Sequence, residues 1–355
     1  MKIITVIGAR PQFVKAAMLS KAIARHNALC GETAIEENIL HTGQHYDYEM
    51  SEVFFRELGI PAPAWNLGCT GSPEEMRDRI LPILQDEQPD FVVVYGDTNS
   101  TAGGAMAASE AGIRLVHIEA GLRSHNMAMP EERNRILTDR LATLLFCPTT
   151  TAVENLRQEG IEDGVENVGD IMYDAALTMV GQGDEVISGL GIKKPYVLAT
   201  VHRAENADSE QNMREILTAF GQIGQRIVWP MHPRTKKMIA ASEILTDLIQ
   251  KADNIQLIDN QGYQEMAALE ANAELILTDS GGVQKEAYFH SVPCVTMRNE
   301  TEWVETVEKG WNQLTGANAT RILAAVAAAQ RPNTTIEEYG DGHTAEKILQ
   351  CLLAY

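Results

Sequence analysis

Three stretches carry carboxylates where a proton could be moved. RLVHIE (114–119) is a β-branched run that delivers Glu119 at its end, VYGDTNST (94–101) carries Asp97 just past a similar run, and PEERNR (130–135) opens with Glu131 and Glu132 behind a proline. Carboxylates brought together at one edge repel one another and lose water. Both effects raise a pKa and suit a carboxyl to general acid–base work. Plainer roles exist: Asp97 could cap the next helix, and Glu132 could complement a helix dipole for a few tenths up to about one kcal/mol. Glu119, on a hydrophobic strand end, has no such explanation. TVHRAEN (200–206) sets His202 beside Arg203 at another strand tip, and HPRT (232–235) repeats the pattern with His232 and Arg234. A lone histidine is more often structural, but one next to an arginine at a strand's C-terminal end is better placed to be functional.

Two further stretches suit a phosphate. In LTDSGGVQKEA (277–287) a buried run ends at Asp279, Ser280-Gly281-Gly282 follow, and a helical period begins. Small residues there let backbone N–H groups approach an anion, which the helix dipole also favours. Glu286, one turn on, could accept from ribose hydroxyls. The alternative is an ordinary strand–helix turn with a serine cap. The stretch is neither a P-loop nor a GxGxxG fingerprint. GARPQFVKAA (8–17) holds the equivalent place after the first strand. There Arg10 offers planar bidentate donors, and Lys15, taken alone, reads as a surface cation. HTGQH (41–45) has histidines at i and i+4 but no HExxH glutamate and no helix, so it does not read as a zinc site. Gln44 and His45 read as cleft contacts.

These residues need sheets to position them. Runs at 3–7, 38–42, 91–96, 114–119 and 144–148, then at 196–202, 226–232, 254–259, 274–279 and 293–297, are nearly continuous in hydrophobicity, as parallel strands covered on both faces are. Helix-period segments separate them, with Pro11 suited to a first turn. The class is α/β: two Rossmann-like doubly wound domains facing across a cleft. The first spans 1–168 and carries the carboxylates, the second spans 169–335, and 336–355 is a closing helix packing back toward the first. The connection between them lies within VENVGDIMYDAA (165–176).

The 355 residues are 45% hydrophobic and 22% charged, the profile of a globular chain of two domains. A formal net charge of −20 argues against nucleic acid or an anionic membrane as a general partner. No run approaches the ~20 apolar residues of a membrane span, and the N-terminus lacks a secretory h-region, so the cytoplasm is expected. Five scattered cysteines form no CxxC pair, which argues against a zinc ribbon or a disulfide framework.

In order, GARPQFVKA, HTGQH, YGDTNST, HIEAGLRS, MPEERNRILTD, VHRAEN, HPRT, LTDSGGVQKEA and TMRNETEWVE resemble the non-hydrolysing UDP-N-acetylglucosamine 2-epimerase family, over residues 3 to 316. The resemblance implies the GT-B arrangement and inversion at C2 of a UDP-2-acetamido sugar, with no metal or other cofactor. UDP would be eliminated to a 2-acetamidoglucal and re-added, feeding bacterial surface polysaccharide synthesis. It implies Asp97, Glu119, Glu131 and His202 as catalytic residues. For UDP it implies Arg10, Lys15, Arg203, Ser280, Gly281, Gly282, Glu286 and Arg298, with Tyr263 beside the uracil. Gln44, His45 and His232 are possible cleft or allosteric contacts, and a homodimer is expected. GARPQ and TEWVE stand where commoner members read GTRPE and TERPE. These spellings resemble a subgroup acting on UDP-2,3-diacetamido-2,3-dideoxyglucuronate. A GT-B glycosyltransferase, a hydrolysing 2-epimerase and a nucleotide-sugar sensor are the competing readings.

Overall fold

Phe91–Tyr95 and Val197–Thr200 are buried at every position, as the unbroken apolar runs require of strands covered on both faces. The computed structural model describes residues 1–31, 34–44, 55, 58–178 and 183–355, without the side chain of Arg10. Among them, the chain divides into two compact units, Met1–Ala175 with Glu337–Tyr355, and Ala176–Ile336.

The first unit is built on a 7-stranded sheet of β1 (Lys2–Ile7), β2 (Glu36–His41), β3 (Trp65–Asn66), β4 (Phe91–Tyr95), β5 (Arg114–Ile118), β6 (Leu144–Cys147) and β7 (Val165–Asn167). Its order is β3-β2-β1-β4-β5-β6-β7, and each neighbouring pair is parallel. The second holds a 6-stranded sheet of β8 (Val197–Thr200), β9 (Ile227–Met231), β10 (Ile255–Asp259), β11 (Leu275–Thr278), β12 (Cys294–Thr296) and β13 (Asn312–Leu314), in the order β10-β9-β8-β11-β12-β13. Each order reverses once, between β1 and β4 and between β8 and β11. Those are the points where helices on opposite faces part and a ligand can reach the strand ends.

Each of the expected strands forms. The additional ones, β3, β7 and β13, are two or three residues long and lie in or near the sheet margins, too short to carry a hydrophobic pattern. β7 falls inside the stretch read as a connection.

Close packing explains two adjacent glycines. The helix Asn99–Ala111 lies so near its neighbours that a Cβ at Gly103 would stand 2.7 Å from Met76 Cβ, and one at Gly104 2.9 Å from Val94 Cγ1. Only a bare backbone fits between the helix Pro73–Glu87 and the sheet, and this holds the helix start against β4. The helix Thr344–Ala354 belongs to the first unit. Asp174 accepts the N–H of Thr344 (3.1 Å) and Ala345 (2.8 Å), satisfying orphan donors at its start, and Arg25 meets Glu346 at 2.7 Å. In the second unit Trp229, Phe220, Ile216, Leu277 and Val295 share a dry cluster, with the Phe220 and Trp229 rings edge to face at 5.4 Å.

Candidate active site

At the reversal of the first sheet, β1 runs through Gly8 into the helix Arg10–Cys30. A Cβ at Gly8 would overlap Thr42 Oγ1 and Ser100 Oγ, which bond each other at 2.7 Å. Gln12 ties the junction together. Its carbonyl accepts the N–H of Gly8 (2.8 Å) and Ala9 (3.0 Å), and its amide donates to the Tyr95 carbonyl (3.0 Å) and Thr101 Oγ1 (2.9 Å). A glutamate here could not donate to Tyr95, so the GARPQ spelling has a structural use. The Gln44 carbonyl accepts from Ser100 N–H (3.0 Å) and Oγ (2.7 Å) at the start of the Asn99–Ala111 helix. His45 and the Arg10 side chain lie outside the described residues. His41, the first histidine of HTGQH, is a core residue stacked on Phe13 at 5.4 Å.

Lys15 is not the surface cation that it seemed in isolation. It is 5% exposed, and its Nζ lies 2.5 Å from Glu119 Oε1. Glu119 adopts φ 72°, a left-handed conformation that costs a non-glycine residue and is held here by the pair. Gly96 makes the approach possible: a Cβ on it would stand 3.2 Å from Glu119 Oε1 and 3.4 Å from Lys15 Nζ. Asp97 follows directly. It does not cap the helix; Thr98 does, accepting the N–H of Thr101. Asp97 instead pairs with Arg135 at 2.5 Å, its carboxylate still partly open, while its carbonyl accepts from Asn134 at 2.9 Å.

Asn134 and Arg135 belong to the helix Pro130–Leu141, which thereby carries Glu131, half-buried in its first turn, toward the Asp97 loop. Glu132 does more than complement a dipole. It is buried and accepts from Ser124 N–H (2.9 Å), Ser124 Oγ (3.0 Å), His125 N–H (2.9 Å) and Arg135 (2.7 Å). Burial pushes its carboxyl up, but the Ser124 N–H, Arg135 and His125 N–H prevail and hold it below the usual range. Behind the cluster, Asp139 is fully enclosed and joins His117 (2.7 Å) to Arg123 (2.7 Å), which also grips Glu159 at 2.6 Å. Its carboxyl is likewise held down, burial being outweighed by His117 and Arg123.

In the second unit Asp279 organises the reversal point. Fully buried, it accepts the N–H of His202 (2.9 Å) and Arg203 (3.1 Å) and the Asn206 amide (3.1 Å), fastening the end of β8 to that of β11. The His202 ring, partly open, lies 5.3 Å from that of His232. Enclosure lowers its pKa, against the pull of Asp279 and aided by Arg203 and Arg234. His232 itself caps a helix through the Arg234 N–H at 3.2 Å, and Arg234 pairs with Asp208.

The serine-cap reading of Ser280 fails, since its side chain makes no cap bond to the helix Gly281–Phe289. That helix starts on two glycines with no acidic residue in its first turn, so its leading N–H groups are suited to an anion. A Cβ on Gly281 would stand 3.3 Å from Arg203 Nη2, 3.8 Å from Glu302 Oε2 and 3.9 Å from Arg298 Nη1, which brings these four residues together. Arg298 is buried and bidentate to Glu302, both contacts at 3.1 Å. Glu286 Oε2 lies 3.6 Å from where a Gly282 Cβ would be, and Tyr263 opens its helix half-buried. In TEWVE, Trp303 is buried and carries the Lys285 ammonium 4.2 Å over its ring.

Sequence reasoning missed Gln12, Asp139, Arg135, Asp279 and Glu302; Asp139 and Asp279 act through residues more than fifteen positions away, whereas Glu302 pairs with Arg298 four residues before it. Among the described residues no group of three or more His, Cys, Asp or Glu is placed to hold a metal ion, and no helix is long and apolar enough to cross a membrane.

A family model described as UDP-N-acetylglucosamine 2-epimerase matches residues 27–353. The chain is 49% identical to the UDP-N-acetylglucosamine 2-epimerase homolog of Methanococcus maripaludis, over 99% of each chain. It is 45% identical to the UDP-2,3-diacetamido-2,3-dideoxy-D-glucuronate 2-epimerase of Pseudomonas aeruginosa, also over 99% of each. Its fold matches the crystal structure of Methanocaldococcus jannaschii UDP-GlcNAc 2-epimerase in complex with UDP-GlcNAc and UDP, with a TM-score of 0.90 at 38% identity over 100% of both chains. On the match of sequence, sheet order and fold, this α/β chain of GT-B type belongs to the UDP-N-acetylglucosamine 2-epimerase family.

Proposed function

We infer that the chain inverts C2 of UDP-N-acetylglucosamine to give the manno epimer. The C2–H proton passes to a carboxylate among Asp97, Glu119 and Glu131, and the C2–H electron pair becomes the C1=C2 bond. The C1–O electron pair leaves with UDP. The 2-acetamidoglucal then takes a proton at C2 on its other face, and UDP re-adds at C1. The observation that carries this reading is the meeting of Lys15, Glu119 and the Gly96–Asp97 turn at the switch point of the first sheet. It is a partly enclosed site with two carboxylates and fixed cations, as proton transfer beside a departing anion requires.

In the same reading the second unit holds the nucleotide. The Ser280–Gly282 turn and Arg203 take the diphosphate, with Arg10, Lys15 and Arg298 adding positive charge. Glu286 takes the ribose, Tyr263 the uracil, and His202 acts in the chemistry with a neutral imidazole. Gln44, His45 and His232 are proposed as flanking contacts, Gln44 through its hold on Ser100. The enzyme is proposed to work without a cofactor, as a homodimer in the cytoplasm, supplying surface polysaccharide synthesis. A second reading, action on UDP-2,3-diacetamido-2,3-dideoxyglucuronate, is favoured by the 45% identity to the Pseudomonas relative of that name.

Proton NMR in D2O with each sugar nucleotide supplied separately tests both. Deuterium at C2 together with the manno product from UDP-N-acetylglucosamine supports the first reading. Turnover of the diacetamido uronate alone selects the second. Free UDP with reducing sugar indicates hydrolysis, and no exchange from either substrate removes the epimerase reading.

A further inference from the structure

His117 lies in β5, fully buried, and each of its ring nitrogens faces an acceptor. Nε2 is 2.8 Å from the Gly96 carbonyl oxygen and Nδ1 is 2.7 Å from Asp139 Oδ1. A carbonyl has no proton to give, so Nε2 donates. Asp139 already accepts from Arg123 Nη1 at 2.7 Å and from the Gly121 N–H at 3.2 Å. Surrounded by donors, its carboxyl is held below the usual range, and Nδ1 lies beside it. His117 therefore presents Nε2–H to Gly96 and turns Nδ1 to Asp139. Arg123 reaches on to Glu159 through Nε at 2.6 Å and Nη2 at 3.0 Å. The contacts run from Glu159 through Arg123 and Asp139 to His117, and the series ends on the Gly96 carbonyl.

Asp139 and Arg123 could stiffen the core without that last contact. What it adds is control of Gly96. The N–H of Gly96 donates to the Ile118 carbonyl at 2.9 Å, so β5 holds both polar atoms of this residue, one through Ile118 and one through His117. The next residue on one side is Asp97, and the next on the other is Glu119. Two hydrogen bonds from adjacent residues thus set the register between the carboxylates, at a glycine whose missing Cβ leaves room for Glu119 and Lys15.

We propose that His117 is a positioning residue for the reaction: its Nε2–H bond to the Gly96 carbonyl sets the spacing of Asp97 and Glu119, and it does not touch substrate. This rests on the reading of Asp97 and Glu119 as proton-transfer groups. Two isosteres separate the ring's contacts. In His117→Gln the amide nitrogen reaches the place of Nε2 and keeps the Gly96 bond; in His117→Asn it reaches that of Nδ1 and keeps only Asp139.

The expected result is a fall of about 100-fold in kcat for His117→Asn, with KM within about threefold, and about tenfold or less for His117→Gln. Equal losses in the two variants, a change in KM alone, or lost stability with intact kcat would overturn the proposal. A readout independent of activity is nitrogen-15 NMR of the histidine-labelled wild-type protein. The buried His117 imidazole should carry a bonded proton on Nε2, and an Nε2 without one refutes the positioning role whether or not the variants fold. Absence of C2 exchange by the wild type would instead sink the functional reading, leaving the ring signature to judge the Gly96 contact.

Discussion

Asp97 and Glu119 differ in what their removal does to the folded protein, which lets chemistry be told apart from stability. Asp97 is partly open, whereas Glu119 is enclosed against Lys15. Asp97→Asn and Glu119→Gln should each lower turnover by roughly 100-fold, as loss of an acid–base group does. Turnover within a few-fold of the parent would remove that residue from the mechanism. Glu119→Gln removes the carboxylate charge that faces the buried Lys15 ammonium, and Lys15→Met removes the ammonium that faces Glu119. Each should cost about 3–5 kcal/mol in urea unfolding, and the double variant less than the sum of the two. Strict additivity would show that the pair is not coupled in solution.

At the scale of elements, the geometry of the site depends on how β4 turns into the Asn99–Ala111 helix and how β5 runs beside it. Gly96 at φ 63° and Gly112 at φ 70° carry the same backbone strain for any other residue, but a Cβ at Gly112 meets nothing within 4 Å. Gly96→Ala and Gly112→Ala should therefore lose similar stability, about 1–2 kcal/mol. Only Gly96→Ala, which pushes on Glu119 Oε1 and Lys15 Nζ, should lose kcat, by about tenfold or more. Steady-state kinetics on the pair checks this, and equal kcat values would mean that the turn tolerates the methyl.

At the scale of the whole molecule, buried ionisable groups set how stability varies with pH. Glu132 and Asp139 have carboxyls held below their ordinary values of 4.5 and 3.8. The unfolded chain binds protons more readily at these sites, so their contribution is present above those values and is lost as pH falls through the depressed ones. In the second unit His290 is lowered by burial to about 4, and its contribution is lost from 6.5 down to that value. Glu270, raised well above 4.5 by burial and by Glu286, acts in the opposite sense and loses stability as pH rises. Urea unfolding followed from pH 7 to 3 should show an acid loss that Glu132→Gln flattens below about pH 4.5. An unchanged slope would mean that Glu132 is not ionised in the native state.

The layout of the fold was legible because unbroken apolar runs such as FVVVY and YVLAT can only be strands covered on both faces, and ten of them alternate with helical periods. Strand tips bearing Asp97, Glu119, His202 and Ser280 were legible for the same reason, since a parallel sheet sends every strand end to one edge. The short strands β3, β7 and β13 were not, because two or three residues hold no period. Nor did local pattern distinguish Lys15 as a surface cation from Lys15 as the buried partner of Glu119, 104 positions away. Asp97 stands where a cap could be, yet Thr98 fills that place, and Gln12, Asp139 and Asp279 were silent because each ties together segments that meet only in the fold. What the amino-acid sequence determined by itself was which elements form and which residues stand at their ends, for those follow from local periodicity. Which of those residues meet, which are enclosed, and which proton is held by which partner were decided by the tertiary structure alone, because burial and charge pairing exist only once distant segments pack together.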